Sequence, residues 1–154
     1  MPKESNAIPE PSTEADDAFL HTCMYFTTNR LSRAITRIAD DAFATTGLAP
    51  AYGYLIRLVT VKPGITQKEL SEKLYITPST LTRFIDKLQA KGLVERQVQG
   101  KTVRVYPTDK GRALEPSLRE ASKKLKASYV AVLGEELADL LTSQQELASE
   151  QLER

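Results

Sequence analysis

The sequence predicts a mainly α-helical protein, a winged helix-turn-helix with a two-stranded β wing, flanked by N- and C-terminal dimerisation helices. Three observations predict this fold. Residues 65–108 follow the order helix, turn, helix and β-hairpin; the surplus of Lys and Arg lies in this part of the chain; and long amphipathic segments flank it. We therefore divide the chain into a flexible tail (1–12), a helical dimerisation region (13–46 and 112–154) and a winged helix-turn-helix domain (47–111).

The helix-turn-helix is marked by two helix starts. Thr66 can cap the first helix, and Glu69, three residues later, completes the pattern of a capping box. Thr77 followed by Pro78 marks the second start, because proline lacks only an N–H that the first helical position leaves unpaired anyway. Residues 74–76 bridge the two helices, which is the length expected when two helices cross steeply.

The second helix has two contrasting faces. Its apolar residues recur at i, i+3, i+4 and i+7, the stripe of a helix that is buried on one side: Leu81, Phe84, Ile85 and Leu88. The other face carries hydroxyl groups and cations, all of them hydrogen-bond donors: Ser79, Thr80, Thr82, Arg83 and Lys87. Donors of these kinds bind the phosphates and base edges of nucleic acids.

A β-hairpin follows the helix. Two β-prone runs, Leu93 to Val98 and Val103 to Tyr106, surround Gln99-Gly100, where glycine allows a tight reversal. Pro107 is tolerated at the end of the second run, where losing a ladder donor matters little. Because the tip is polar and basic, we expect it to contact a groove of a nucleic acid and not to pack in the core.

The flanking segments predict long helices. One helix is expected from Thr13 to about Thr45, with a length of about 50 Å at 1.5 Å per residue. A second helix opens at Pro50 and ends near residues 62–64, burying Leu55, Ile56 and Val59. Two more follow, from Thr108 and after Gly134. Together they carry more apolar surface than a small domain can cover, so we expect a second subunit to bury the rest.

The net charge of +1 is unevenly distributed. Residues 62–112 hold eleven Lys/Arg and five Asp/Glu, a local net charge of +6, while the rest of the chain carries −5. A basic surface on an otherwise acidic body is the electrostatic footprint of a nucleic-acid-binding protein. The predicted partner of the 47–111 domain is therefore double-stranded DNA.

The composition argues against several other classes of protein. No apolar run is long enough to span a bilayer and the N-terminus lacks the apolar stretch of a signal peptide, so we expect a soluble cytoplasmic protein. A single cysteine and a single histidine cannot form a disulfide or a usual zinc site. Because paired carboxylates, a phosphate-binding glycine loop and a cysteine–base pair are missing, we expect no enzymatic activity and no cofactor.

The run ITQKELSEKLYITPSTLTRFIDKLQAKGLVER, followed by TDKG after the hairpin, resembles the MarR family of winged-helix regulators, and the likeness covers residues 18–150. The resemblance implies a homodimer with intertwined terminal helices on a pseudo-palindromic operator. It implies a recognition helix in the major groove, starting at Thr77 and including Ser79, Thr80, Thr82 and Arg83. The family's aspartate and arginine near the wing tip have no counterpart in QVQGKTVRV, so Lys101 or Arg104 is expected to take the arginine's minor-groove role.

The same resemblance implies a cleft for a small aromatic or phenolic effector between the dimer layer and the DNA-binding lobe. The candidates to line it are Cys23, Met24, Tyr25, Phe26, Tyr52 and Tyr54. Arg57 is the candidate to hold a carboxylate. We therefore expect a repressor that an effector releases.

Two alternatives remain open. Cys23 lies near the place where the organic-hydroperoxide-sensing branch of the family keeps a reactive cysteine, which would make the protein a peroxide- or thiol-sensing repressor. Against this, Cys23 is expected about ten residues inside a helix, away from its N-terminus and without a cation one turn away. The other alternative, a winged helix used only for protein interaction, predicts a neutral or apolar recognition face, whereas this face is basic.

Overall fold

The computed structural model describes residues 16–154. Over that range the chain forms eight α-helices and three β-strands. The helices are α1 (Ala18–His21), α2 (Met24–Phe43), α3 (Pro50–Val61), α4 (Gln67–Leu74), α5 (Pro78–Ala90), α6 (Asp109–Ala113), α7 (Glu115–Leu133) and α8 (Glu135–Leu152). The strands are β1 (Ile65–Thr66), β2 (Val94–Gln99) and β3 (Thr102–Pro107). The predicted mainly helical winged fold is confirmed, while the predicted tail (1–12) and the predicted helix start at Thr13 lie outside the described residues.

The chain divides into two compact units, and the boundary falls after Thr36. In the first unit, the prediction of one uninterrupted helix is wrong, because α1 ends at His21 and α2 begins only at Met24. The Oγ1 of Thr22 donates to the carbonyl of Phe19 at 3.3 Å, a local bond with which threonine competes against helix continuation. The helix α2 is consequently about 30 Å long at 1.5 Å per residue.

The second unit, Arg37–Arg154, contains the hydrophobic core. The stripe predicted for α3 is confirmed, since Leu55, Ile56 and Val59 are fully buried. Gly53 on the same helix makes room for Phe43, because a Cβ at Gly53 would lie 2.9 Å from that ring. The core therefore packs α3 tightly against the end of α2.

Both predicted helix caps are confirmed. The Thr66 hydroxyl accepts from the N–H of Glu69 at 3.1 Å, and the Thr77 hydroxyl accepts from the N–H of Thr80 at 3.3 Å. The predicted capping box is only half formed, because the Glu69 carboxylate binds Lys62 Nζ at 2.8 Å and not the Thr66 backbone. The hydrogen bond from Lys62 holds the pKa of Glu69 below its usual value.

The turn that joins α4 to α5 has an uncommon backbone conformation. Tyr75 has a φ of 54°, in the left-handed region that bulky residues rarely adopt. The buried Ser71 donates its hydroxyl to the carbonyl of Ile76 at 2.7 Å, which closes the turn on the side of α4. The turn fixes the direction in which α5 leaves.

The wing belongs to a three-stranded antiparallel sheet, one strand more than predicted. The strand β3 lies between β1 and β2, with Ile65 opposite Val105 and Thr66 opposite Arg104. A strand of two residues is too short to show an alternating pattern, which is why β1 was not predicted. The hairpin reverses at Gly100-Lys101, one residue later than the predicted Gln99-Gly100, because Gln99 still pairs with Thr102. Only Gly100 of the two turn residues has a positive φ, of 62°, as in a type II′ turn.

The single helix predicted from Thr108 is divided in two. The helix α6 ends at Ala113 and α7 starts at Glu115. The prediction overlooked Pro116, whose nitrogen cannot donate to the carbonyl of Arg112 four residues earlier. The helix therefore breaks where that hydrogen bond is lost.

The TDKG run joins α6 to the base of the wing. The Thr108 hydroxyl accepts from the N–H of Gly111 at 3.1 Å, confirming the predicted cap, and donates to the carbonyl of Gly92 at 2.6 Å. Gly111 packs so closely on Leu93 that a Cβ would overlap the Leu93 carbonyl oxygen. This close approach explains the glycine in the run.

The last two helices keep large apolar side chains exposed. The exposed set comprises Val132, Leu137, Leu140, Leu147 and Leu152. Much of the leucine stripe predicted for the final helix is therefore not covered within the chain. Between residues 16 and 154, no helix is both long enough and apolar enough to cross a membrane.

Candidate nucleic-acid interface

The helix α5 presents its predicted polar face to solvent. Leu81, Ile85 and Leu88 are buried as predicted, and Phe84 is half-buried. On the opposite side, Thr80 is half-buried and four polar residues are exposed: Ser79, Thr82, Arg83 and Lys87. The face predicted to meet DNA is thus free of contacts that would cover it within residues 16–154.

Hydroxyl groups form a small network at the start of α5. Thr77 Oγ1 donates to Thr80 Oγ1 at 2.9 Å and lies 3.2 Å from Ser79 Oγ. Arg83 Nη2 donates to Thr80 Oγ1 at 3.5 Å. A guanidinium has five N–H donors, and this is the only hydrogen bond that the Arg83 side chain makes within the described residues. The network therefore orients Arg83 and leaves most of its donors available.

Arg96 on β2 joins the wing to both helices of the helix-turn-helix. Its Nε donates to Gln67 Oε1 at 2.9 Å, and its Nη1 donates to Gln89 Oε1 at 3.0 Å. Its Nη2 donates to the Thr82 carbonyl at 3.0 Å and to Asp86 Oδ1 at 2.6 Å. The side chain is only 20% exposed. These four bonds fix α5 relative to the wing.

Arg96 was not among the predicted site residues, although the sequence contains a signal for it. Side chains alternate between the two faces of a strand, so Arg96 shares a face with the buried Val94. An arginine on a buried face needs an acceptor, and Asp86 is the only acidic residue on α5.

The two wing cations proposed for the minor groove lie in different surroundings. Lys101 is exposed in the hairpin turn. Arg104 is half-buried on β3, opposite Gln97, and its Nη1 donates to the carbonyl of Gly64 at 3.0 Å. Lys101 is therefore the cation at the wing tip, while Arg104 ties β3 to the segment before β1.

Lys87 and Tyr52 border a cavity beside α5. The Lys87 ammonium lies 5.8 Å from the centre of the Tyr52 ring, which is itself 4.7 Å from the ring of Phe84. The cavity measures about 200 Å³. Its lining consists of Gly47, Leu48, Ala49, Tyr52, Lys87, Leu88 and Lys91.

The other two effector candidates on α3 face different neighbours. Tyr54 packs edge-on against Phe43, with ring centres 5.9 Å apart. Arg57 donates to Ser122 Oγ at 3.2 Å and lies 3.8 Å from Glu115 Oε1. Arg57 thus braces α3 against α7, and it does not line the cavity with Tyr52.

The remaining effector candidates lie in the unit that ends at Thr36. Cys23 is exposed and immediately precedes α2, so the expectation that it lies about ten residues inside a helix is wrong. Met24 is 70% and Tyr25 80% exposed, while Phe26 is half-buried with its ring 6.2 Å from that of His21. The predicted effector residues are therefore divided between the two units.

Comparison with known proteins identifies the winged domain. Residues 54–99 match the model of the MarR family. The winged helix-turn-helix is a MarR-family domain. The chain is 31% identical over 93 residues to an uncharacterized HTH-type transcriptional regulator, YybA, of Bacillus subtilis (strain 168), a match that covers 58% of this chain and 61% of YybA. The chain thus spans about three fifths of the curated relatives that it matches.

Solved structures share the fold of the MarR domain and its flanking helices. The transcriptional repressor CouR bound to p-coumaroyl-CoA has a TM-score of 0.78 at 21% identity, covering 90% of this chain and 98% of CouR. CouR bound to a 23-mer DNA duplex has a TM-score of 0.75 at 23% identity, with 88% and 99% covered. A MarR transcriptional regulator from Methanosarcina mazei Go1 has a TM-score of 0.65 at 25% identity, with 88% and 90% covered. These proteins are named as transcriptional regulators and not as enzymes.

Proposed function

We propose that the protein is a homodimeric, sequence-specific DNA-binding transcriptional regulator that represses by occupying its operator. The observation that carries this proposal is the exposed face of α5, on which Arg83 and Lys87 stand beside a hydroxyl network. Hydroxyl groups and cations at the start of a recognition helix bind base edges and phosphates in the major groove. That CouR has been solved with a DNA duplex supports the proposal.

The wing extends the same basic surface. Lys101 at the hairpin tip reaches a neighbouring phosphate or the minor groove. Arg104, which is hydrogen-bonded to the Gly64 carbonyl, holds β3 of the wing in position. Because Arg96 fixes the wing to α5, the two elements engage the duplex as one rigid piece. Phosphate contacts of this kind set position and orientation, and the base contacts of α5 set sequence preference.

Selection of bound duplexes from a random pool, followed by footprinting, tests the proposal. Two copies of α5 related by a two-fold axis should select a pseudo-palindrome whose half-sites lie about 10 bp apart or a little more. Recovery of no common sequence, with no protected duplex at micromolar protein, would argue against the proposal. A single unpaired half-site would argue against the homodimer alone.

The homodimer is supported by exposed apolar surface on the flanking helices. Leu137, Leu140 and Leu147 on α8 are each about half exposed, at 44%, 54% and 48%. Contiguous exposed leucines on an amphipathic helix mark an interaction surface. A second copy of the chain supplies the same helices and covers this surface in a two-fold arrangement.

We further propose that a small aromatic anion releases the protein from DNA by binding the cavity at Tyr52. The ring of Tyr52 suits an aromatic ligand, and Lys87 and Lys91 suit its negative charge. Because Lys87 also belongs to the predicted DNA face, a ligand bound there would compete with a phosphate for the same cation. The ligand can lower the affinity for DNA by no more than the ratio of its own affinities for the DNA-free and the DNA-bound protein.

Titration of 4-hydroxybenzoate into the protein–operator complex tests the effector site. We expect release of the wild-type protein and a weaker response of Tyr52→Ala. Tyr54→Ala is the matched control, because Tyr54 packs on Phe43 outside the cavity. If Tyr52→Ala and Tyr54→Ala respond like the wild type, the cavity is not the effector site.

A further inference from the structure

The helix α8 carries an acidic stripe along its whole length. At about 100° per residue, its acidic side chains fall within roughly 100° of the helix circumference. The acidic stripe consists of Glu135, Glu136, Asp139, Glu146, Glu150 and the C-terminal cap residue Glu153, all exposed. No Lys, Arg or His occurs between residues 135 and 153. The stripe borders the exposed Leu140 and Leu147.

The acidic stripe stabilises α8 itself only at the N-terminal end, where Glu135 and Glu136 lie in the first turn. Like charges one turn apart repel each other, as Glu146 and Glu150 do. Negative charge in the last turn also opposes the helix dipole, and Glu150 and Glu153 lie there. A cationic partner outside the helix would remove both penalties.

The helix α2 carries a complementary basic stripe. Arg30, Arg33 and Arg37 fall within roughly 60° of its circumference at about 100° per residue, and all three are exposed. No Asp or Glu occurs between residues 18 and 39. The basic stripe lies beside the half-buried Ala34, at the edge of the predicted apolar face.

Neither stripe is neutralised in the described part of the chain. Residues 16–154 form seven ion pairs, and none includes an arginine of the basic stripe or a carboxylate of the acidic stripe. Both stripes adjoin apolar side chains that the chain leaves partly uncovered. Each chain therefore carries a basic stripe and an acidic stripe, each beside partly exposed apolar side chains. Such a surface is complementary to the same surface on a second copy of the chain.

We infer that the basic stripe of α2 pairs with the acidic stripe of α8 of the partner subunit in the homodimer. This inference rests on the proposed homodimer and names the surface that orients it. In a two-fold interface each contact occurs twice, so both stripes of both chains are neutralised together. The apolar side chains supply affinity, while the complementary charges select the partner and the register.

A charge-swap experiment tests the pairing. The first variant carries Arg30→Glu, Arg33→Glu and Arg37→Glu, and the second carries Asp139→Lys, Glu146→Lys and Glu150→Lys. In a homodimer of either variant, stripes of like charge face each other at both α2–α8 contacts. We therefore expect the dimer dissociation constant of each variant, measured by sedimentation velocity, to rise at least about tenfold. Mixed in equal amounts, the two variants should form a heterodimer, visible by native mass spectrometry. All six substitutions in one chain should restore the homodimer.

A matched control carries three charge reversals on the winged domain, Lys68→Glu, Lys73→Glu and Lys101→Glu, and its dimer should be unaffected. Circular dichroism of the six-fold variant shows whether the helices tolerate the substitutions. A dimeric wild type whose two variants dimerise equally well alone, or fail to pair when mixed, would overturn the pairing and leave the homodimer intact. A monomeric wild type would overturn the homodimer itself.

Discussion

Replacing Arg83 by alanine is expected to weaken operator binding by about 10- to 100-fold, the cost of losing one base-reading arginine. Arg83 is exposed on the polar face of α5, and the one hydrogen bond of its side chain in the described residues, 3.5 Å to Thr80 Oγ1, leaves most of the guanidinium donors available. The free energy of unfolding should stay within about 0.5 kcal/mol of the wild type, because the side chain is exposed on the surface of α5. Fluorescence anisotropy with a labelled operator measures the affinity.

Two further variants show what Arg83 does. Arg83→Lys keeps the charge but lacks the two-pronged donor of guanidinium, so it should retain non-specific binding and lose sequence preference. Lys126→Ala removes an exposed charge from α7 and should change neither. Operator binding by Arg83→Ala that equals the wild type would remove Arg83 from the interface.

Replacing Arg96 by alanine is expected to lower both stability and DNA affinity. Gln67, Asp86 and Gln89 each lose a partner, and the Thr82 carbonyl loses a donor. We expect the free energy of unfolding to fall by about 2 kcal/mol, as for a broken network around a mostly buried charge. Operator affinity should fall about tenfold, equivalent to 1.4 kcal/mol, because α5 and the wing are no longer held together. Urea denaturation and DNA titration measure the two effects.

The affinity of Arg96→Ala is measured at a temperature where circular dichroism shows the protein fully folded, so that unfolding does not imitate weaker binding. Gln97→Ala, the exposed neighbour on β2, is the matched control. The stability and operator affinity of Arg96→Lys should fall between those of Arg96→Ala and the wild type, because one ammonium cannot reach all four acceptors. An Arg96→Ala protein as stable and as tightly bound as the wild type would show that the four bonds do not position α5.

Local patterns predicted the helix-turn-helix because its signals act over three or four residues. The caps at Thr66 and Thr77 and the buried stripe of α5 each depend on neighbours within one or two turns. The breaks in α1–α2 and α6–α7 also have local causes. Pro116 is a local sequence signal for the second break, whereas Thr22 has no signature that distinguishes it from a threonine inside a helix.

The errors and omissions at the site come from distant partners. Arg96 binds Asp86 and Gln67, ten and 29 residues away, Arg104 binds Gly64 at a separation of 40 residues, and Arg57 binds Ser122 at a separation of 65 residues. The periodicity of a sequence shows on which face of its helix or strand a residue lies. It does not show which other element that face contacts. A cation exposed at the tip of the wing and a cation that braces the fold therefore look alike in sequence, as Lys101 and Arg104 do.

The salt dependence of duplex binding tests the DNA-binding proposal most directly. Each phosphate neutralised by a Lys or Arg contributes about −0.9 to the slope of log K against log salt concentration. With several phosphate contacts from each subunit, we expect operator affinity to fall by roughly a hundredfold or more between about 50 and 200 mM salt. An affinity that barely changes over this range would contradict the assignment of the basic surface of α5 and the wing to DNA.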